Sequence, residues 1–126
     1  MRALSVRQPY AELILRGEKT VEYRSRPTKI RERVYLYAAK RPGKVEDFER
    51  AGLRSGELPT GVLVGTVEVV GCTGESGACE WHLADPERLR EPREPDRHPQ
   101  PAWFYPFSGQ RSSLPYRGAP LVGDMA

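Results

Sequence analysis

The chain has 126 residues, of which 38% are hydrophobic and 29% are charged. This composition is typical of one globular domain with a single core and excludes a disordered chain. No apolar run approaches the roughly 18 residues that a membrane-spanning helix needs. The N-terminus also lacks the apolar stretch of a secretory signal. We therefore expect a cytoplasmic protein that does not contact a membrane.

The net charge of +3 is divided unevenly along the chain. Residues 1–54 contain 14 Lys and Arg against 7 Asp and Glu, a balance of +7, whereas residues 55–126 contain 6 against 10, a balance of −4. A basic half beside an acidic half suits an anionic ligand or a nucleic acid, although a solvated surface of mixed charge has the same composition.

Four residues are potential soft metal ligands: Cys72, Cys79, His82 and His98. They include no paired Cys-x-x-Cys, and the spacing is poor for zinc. We predict free thiols, surface or strand histidines, and neither a metal site nor a cofactor.

The first half of the chain alternates strand and helix patterns. Residues 3–6 read as a strand, and residues 9–16 as a short amphipathic helix that Gly17 ends with a left-handed cap. Alternation then predicts a strand from Lys19 to Arg24, which Pro27 terminates. In a regular strand Lys19 would point away from Glu22 and Arg24, unless the strand begins after Lys19.

The remaining patterns predict mostly strands. The strongest is a long strand that bends at Gly65. The predicted elements in this part of the chain are strand 34–39, helix 44–53, strand 62–70, which is the long strand, strand 80–83 and strand 102–105. From Pro86 onward the chain holds 8 of its 12 prolines, which predicts a loop. We expect a mainly β (α+β) fold, a small barrel of about six strands with two or three short helices. Its domain would span residues 1–107, followed by a loosely ordered tail at 108–126.

One motif stands out near the N-terminus. Arg7-Gln8-Pro9 leads into the predicted helix, and Gly17, Lys19, Glu22 and Arg24 follow in the pattern Gly-x-Lys-x-x-Glu-x-Arg, with Ser25 next. This arrangement resembles the signature of the ASCH (activating signal cointegrator homology) domain, and the resemblance covers about residues 2–107.

The resemblance implies a PUA-like β-barrel whose cleft is rimmed by the polar residues of the motif. It also implies binding of RNA or another nucleic acid, or hydrolysis of RNA or of acylated cytidines. In the amidohydrolase branch a Lys works with a hydroxyl residue and a carboxylate. Lys19 matches that Lys, but Glu22 occupies the position where the branch has Thr.

The residue chemistry is compatible with a ligand cleft. Arg24 offers a planar fork for a phosphate or a base edge, and Lys19 a mobile positive charge. Glu22 can orient either cation or accept a proton. Gln8 can read a base edge. The candidate binding residues are thus Arg7, Gln8, Lys19, Glu22, Arg24 and Ser25, and the stacking candidates are Tyr10, Tyr23 and Trp103.

Two functions follow. The first is a module that binds RNA or a nucleotide, with DNA as a further possible ligand. The second is a small metal-independent hydrolase, an N4-acylcytidine amidohydrolase or a ribonuclease, in which Lys19 and Glu22 would be catalytic. A protein-interaction role of the segment Pro92–Pro106 ranks below both, and we infer no obligate protein partner.

Overall fold

The computed structural model describes residues 1–100 and 102–108. The tail predicted at 108–126 lies, apart from Ser108, outside these residues. Within them, no helix is long and apolar enough to span a membrane. The elements in chain order are β1 (Ala3–Val6), α1 (Tyr10–Leu15), β2 (Val21–Arg24), β3 (Arg33–Ala38), α2 (Val45–Arg50), β4 (Val62–Glu75), β5 (Ala78–Arg93) and β6 (Trp103–Phe104).

The six strands form one sheet in the order β2-β5-β4-β3-β1-β6. Only β1 and β3 are parallel, and all other neighbours are antiparallel. The sheet curls so far that Arg24 of β2, at one edge, donates a hydrogen bond to the Ser5 carbonyl of β1, near the other edge. The expected mainly β fold, a small barrel of about six strands with two or three short helices, is confirmed as a half-barrel of six strands with two short helices among the described residues.

The core lies on both faces of the sheet because successive strand residues point to opposite sides. Leu4 and Val6 of β1, with Leu36 of β3, belong to a larger cluster that packs beneath α1. Ala3 and Tyr37 point the other way, into a smaller cluster that β6 completes. The polar residues near the strand ends are therefore held by strands that are buried on both faces.

The segment from Pro86 onward was predicted to be a loop, which is wrong for residues 86–93 and correct for residues 94–100. Strand β5 continues to Arg93 and pairs with β4 along most of its length. Asp85 and Pro86 together lie opposite the single residue Val67, which makes a β-bulge. A bulge tolerates the missing N–H of proline, and Asp85 there adopts a φ of 52°.

Gly65 lies at another irregularity of the β4–β5 register, as its position in the sequence predicts. A Cβ at this residue would be 2.4 Å from the carbonyl oxygen of Glu87 and 2.4 Å from Cδ2 of Leu15. No side chain fits in that space. The glycine therefore allows α1 to pack directly on the bent part of the sheet.

A buried ion pair fixes α1 to β5. The carboxylate of Glu12, which is 6% exposed, accepts hydrogen bonds from Nη1 of Arg88 at 2.9 Å and from Nη2 at 2.8 Å. Arg16 donates a third bond at 2.7 Å. The Arg88 guanidinium, helped by Arg16, holds the pKa of Glu12 below its usual range. A buried carboxylate with this many donors favours its charged form.

The substitution Glu12→Gln is expected to destabilise the protein by about 1–2 kcal/mol at pH 7. The loss is smaller than for a fully buried ion pair, because the Arg88 side chain is half exposed. The pKa of Glu12 is lowered on folding, so its contribution is present above the ordinary value of 4.5 and is lost as the pH falls below it. The free-energy difference between wild type and variant should therefore shrink in acid. Urea unfolding from pH 7 to pH 3 measures it, with Glu46→Gln on exposed α2 as control. A difference that stays constant over this range would contradict the assignment.

Candidate functional site

The cleft lies where β1, β2 and β3 meet the start of α1, and its volume is about 440 Å³. Since β1 and β3 are parallel, the residues that follow both strands reach the same edge of the sheet. Arg7 follows β1 and Arg41 follows β3. The residues lining the cleft are Ser5, Val6, Arg7, Tyr10, Glu22, Arg24, Ala39 and Arg41.

Among the described residues, Glu22 is the only acidic one that lines this cleft, and its carboxylate is shared by two cations. Oε2 accepts a bond from Nε of Arg24 at 2.9 Å, and Oε1 lies 3.6 Å from Nζ of Lys19. The Glu22 side chain is 12% exposed. At this exposure water screens the charges only weakly, so the three side chains hold one another in place.

Lys19 converges with Glu22 because β2 begins only at Val21, so the alternation of strand faces does not extend back to the lysine. Its Nζ donates to the carbonyl of Val21 at 2.6 Å. The ammonium also lies 5.5 Å from the ring centre of Tyr10 and 5.0 Å from that of Tyr23. Lys19 thus contacts Glu22. It is not among the residues that line the cleft, so it supports Glu22 from the side away from the cleft.

Arg24 makes contacts in three directions. Besides its bonds to Glu22, its Nη2 donates to the Ser5 carbonyl at 2.7 Å. Its guanidinium lies 5.5 Å from the ring centre of Trp81, which is stacked on Trp103 with the ring planes within 7°. Most of its donor capacity is therefore used within the protein, and one edge faces the cleft.

Tyr10 forms a fixed wall of the cleft. Its hydroxyl bonds to Asp47 of α2, and this bond lowers the pKa of the Asp47 carboxyl. The same carboxylate accepts the backbone N–H of Lys44 at 3.0 Å and pairs with Arg50. Burial, and then the bond to Asp47, raise the pKa of Tyr10. The tyrosine therefore stays neutral, and its ring cannot swing away without breaking a bond to α2.

A family model for the ASCH domain matches residues 4–104 of the sequence. The chain belongs to the ASCH domain family. The ASCH protein of Zymomonas mobilis is similar in structure, with a TM-score of 0.59 and 16% identity over 82% of this chain and 85% of that one. A single-substitution mutant of the same protein has a TM-score of 0.57 and 17% identity over 82% and 86%. At these identities the likeness shows the fold alone. No curated protein matches the sequence.

The ASCH motif residues take different positions around the cleft. Arg7, Glu22 and Arg24 line it, whereas Lys19 supports Glu22 from behind. Ser25 lies beyond Arg24 in a neighbouring groove of about 420 Å³, which Trp81 and Trp103 also line. The motif thus spans two adjoining cavities that share Arg24.

Gln8, expected to read a base edge, is 1% exposed. Its Oε1 accepts the backbone N–H of Glu12 at 3.0 Å, and its Nε2 donates to the carbonyl of Pro59 at 3.0 Å. Its backbone carbonyl accepts the N–H of Gly43. Gln8 therefore joins α1 to two loops, and its polar atoms are used within the protein.

Arg41 and Ser5 line the cleft although the sequence did not indicate them. A signal for Arg41 was available, because it follows a predicted strand in the same way that Arg7 does. To use this signal, one must know that β1 and β3 are parallel neighbours. The lengths and residue patterns of the two strands do not reveal this pairing.

Two of the remaining candidate ligands, Cys72 and Cys79, lie close to each other. Cys72 and Cys79 are free thiols, and burial raises the pKa of the Cys79 thiol. His82 pairs with the Thr73 hydroxyl at 2.8 Å. Across residues 1–100 and 102–108, no group of three His, Cys, Asp or Glu side chains is placed to hold a metal ion.

The substitution Arg24→Lys should destabilise the protein by about 1–2 kcal/mol, because one ammonium cannot bond Glu22 and the Ser5 carbonyl in the same geometry. It should also change the emission of the folded protein, since Trp81 loses the guanidinium on its ring. Urea unfolding followed by tryptophan fluorescence measures both effects. Arg26→Lys, an exposed residue of the same segment, is the control, and equal behaviour of the two variants would count against the structural role of Arg24.

Proposed function

We propose that this ASCH protein binds RNA, or another nucleic acid or nucleotide, in the cleft between β1, β2 and β3. One observation carries the proposal: three arginines, Arg7, Arg24 and Arg41, surround a 440 Å³ cleft with a tyrosine wall. Small-ligand sites measure about 300–1,000 Å³, so a nucleotide fits such a space.

The charges of the cleft support an anionic ligand. Glu22 is already neutralised by Lys19 and Arg24. Arg7 and Arg41 are exposed, and within the part of the chain that the structure describes neither side chain has an ion-pair partner. Free guanidinium groups bind phosphate oxygens through two parallel hydrogen bonds.

The aromatic residues support a ligand that also carries a base. Tyr10 lines the cleft, and Trp103, which is half-buried and stacked on the buried Trp81, lines the adjoining groove. Unpaired bases are recognised by stacking on such rings and by polar groups at their edges. A single-stranded segment, rather than a duplex, is therefore the ligand that this surface suits.

The variants Arg7→Ala and Arg41→Ala should each weaken binding of a fluorescein-labelled single-stranded RNA about three- to tenfold at low salt. Each should also lower the slope of log affinity against log salt by about 0.7, the value for one lost phosphate contact on a single strand. Fluorescence anisotropy at several salt concentrations measures both quantities, and a matched DNA strand tests the sugar preference.

Arg54→Ala provides the matched control, since it removes one exposed arginine that does not line the cleft. Its affinity and salt slope should equal those of the wild type. If Arg54→Ala weakens binding as much as Arg7→Ala, the attraction is a property of net charge and the cleft is not the binding site. Absence of binding to every RNA and DNA strand would refute the proposal.

A hydrolase is the second candidate, and the Lys19–Glu22 pair is the observation that favours it. Glu22 lines the cleft, and its carboxylate lies 3.6 Å from Nζ of Lys19. A carboxylate in this position could take a proton from a water that attacks an acylated cytidine. Against this function, the Glu22 carboxylate is already engaged by Arg24 and Lys19, so fewer of its lone pairs are free for a water.

Incubation with N4-acetylcytidine, followed by chromatography of the released cytidine, separates the two candidates. The binding function predicts no turnover. Turnover by the wild type that disappears in Glu22→Gln and Lys19→Ala, but persists in the exposed control Thr20→Ala, would instead establish the hydrolase. The same variants incubated with a labelled RNA test ribonuclease activity.

A further inference from the structure

The hydroxyl of Tyr37 is buried without a hydrogen-bond partner among the residues that the structure describes. The residue is 1% exposed, and burial raises the pKa of its hydroxyl. The ring packs edge-on against Phe104 at 5.2 Å, which fixes the direction of the hydroxyl. An unsatisfied buried hydroxyl costs about 1–3 kcal/mol, so its retention in a well-packed core needs a reason.

Tyr37 is one of the residues that line two cavities. Tyr37, Lys40, His98 and Pro99 line both a cavity of about 290 Å³ and an adjoining one of about 210 Å³. Gly61 brings the chain close to the hydroxyl, since a Cβ there would be 4.0 Å from the Tyr37 oxygen. Tyr37, Lys40 and His98 thus line a common space, here named the Tyr37 pocket.

The Tyr37 pocket adjoins the cleft of the proposed function. Ser5 and Ala39 line both the cleft and the smaller of the two cavities. Ser5 is the register partner of Tyr37 in the parallel β1–β3 pair, and its carbonyl accepts the bond from Arg24. Neighbouring strands are about 4.8 Å apart, so the two sites are separated by only about one strand spacing.

The charges near Tyr37 suit an anion. Lys40 is the fixed cation common to both cavities, and Arg97 adds a second in the larger one. Two acids, Glu94 and Asp96, also line the larger cavity. Asp96 is engaged, because its carboxylate accepts both the backbone N–H and the hydroxyl of Ser108. Of the described residues that line the smaller cavity, which adjoins the cleft, none is acidic.

We propose that the Tyr37 pocket is a second phosphate subsite, in which the Tyr37 hydroxyl and Lys40 bind the phosphate of a nucleotide adjacent to the one in the cleft. This inference rests on the proposed function and extends it. The ligand is then a single strand of at least two nucleotides that crosses Ser5. A phosphate oxygen supplies the acceptor that the hydroxyl lacks, and such a bond to a charged group is among the stronger ones.

The test uses the full chain and a ladder of 5′-phosphorylated RNAs from one to six nucleotides. Tyr37→Phe removes only the hydroxyl, and Lys40→Ala only the cation. Each should leave the affinity for the mononucleotide within about twofold of wild type and weaken the longer strands about tenfold. Tyr35→Phe and Lys29→Ala, which line none of these cavities, are the matched controls and should bind like the wild type.

Two outcomes overturn the inference in distinguishable ways. If the wild type binds the ladder but Tyr37→Phe and Lys40→Ala bind every length as tightly as their controls, the second subsite is refuted and the cleft proposal stands. If no length binds to the wild type, the proposed function fails and the inference fails with it.

Thermal unfolding of the free protein gives an independent readout. Because the hydroxyl has no partner within the described residues, Tyr37→Phe should melt at the same temperature as the wild type or above it. A melting temperature several degrees lower would show that the hydroxyl is bonded within the protein, which contradicts a role in holding a ligand.

Discussion

The contact of Arg24 with Glu22 and with the Ser5 carbonyl is the constraint on which the rest of the site depends. Strands β2 and β1 are far apart in the sheet order, so backbone pairing does not bring them together. The guanidinium joins them instead, and the stacked Trp81–Trp103 pair joins β5 to β6 beside it. The half-barrel is thus drawn together by side chains, and the cleft is the space that this closure leaves.

This arrangement divides the motif into residues that build the cleft and residues that remain free. The polar atoms of Gln8 and Lys19 contact carbonyls, a backbone amide and Glu22 within the protein. The guanidinium groups left for a ligand belong to Arg7 and Arg41, which follow parallel strands. In the sequence, a motif with so many charges indicates a binding surface. In the structure, much of the motif is an internal network of bonds, which fixes the directions of neighbouring side chains.

The sequence predicted the elements whose patterns are local. The helix that ends at Gly17, which has a φ of 78°, and the strands beside it follow from spacing and capping. The continuation of β5 through Pro86 was missed, since a bulge depends on the partner strand and leaves no local signal. The burial of Gln8 was missed for the same reason, because its partners include Pro59, which is distant in the sequence. The ASCH resemblance supplied the fold, but it could not divide the motif into buried and exposed residues.

Neighbouring cavities share lining residues, and a strand bound as proposed would follow one path across them. Arg24 borders both the tryptophan groove and the cleft, and Ser5 borders both the cleft and the Tyr37 pocket. The two residues are bonded to each other, so the path bends around a single rigid contact. A compact ligand needs one of these spaces, whereas a linear ligand can occupy successive ones and gain from each without new ordering of the protein. The proposed function therefore favours a strand as the ligand over a small substrate, which the cleft would leave in contact with water.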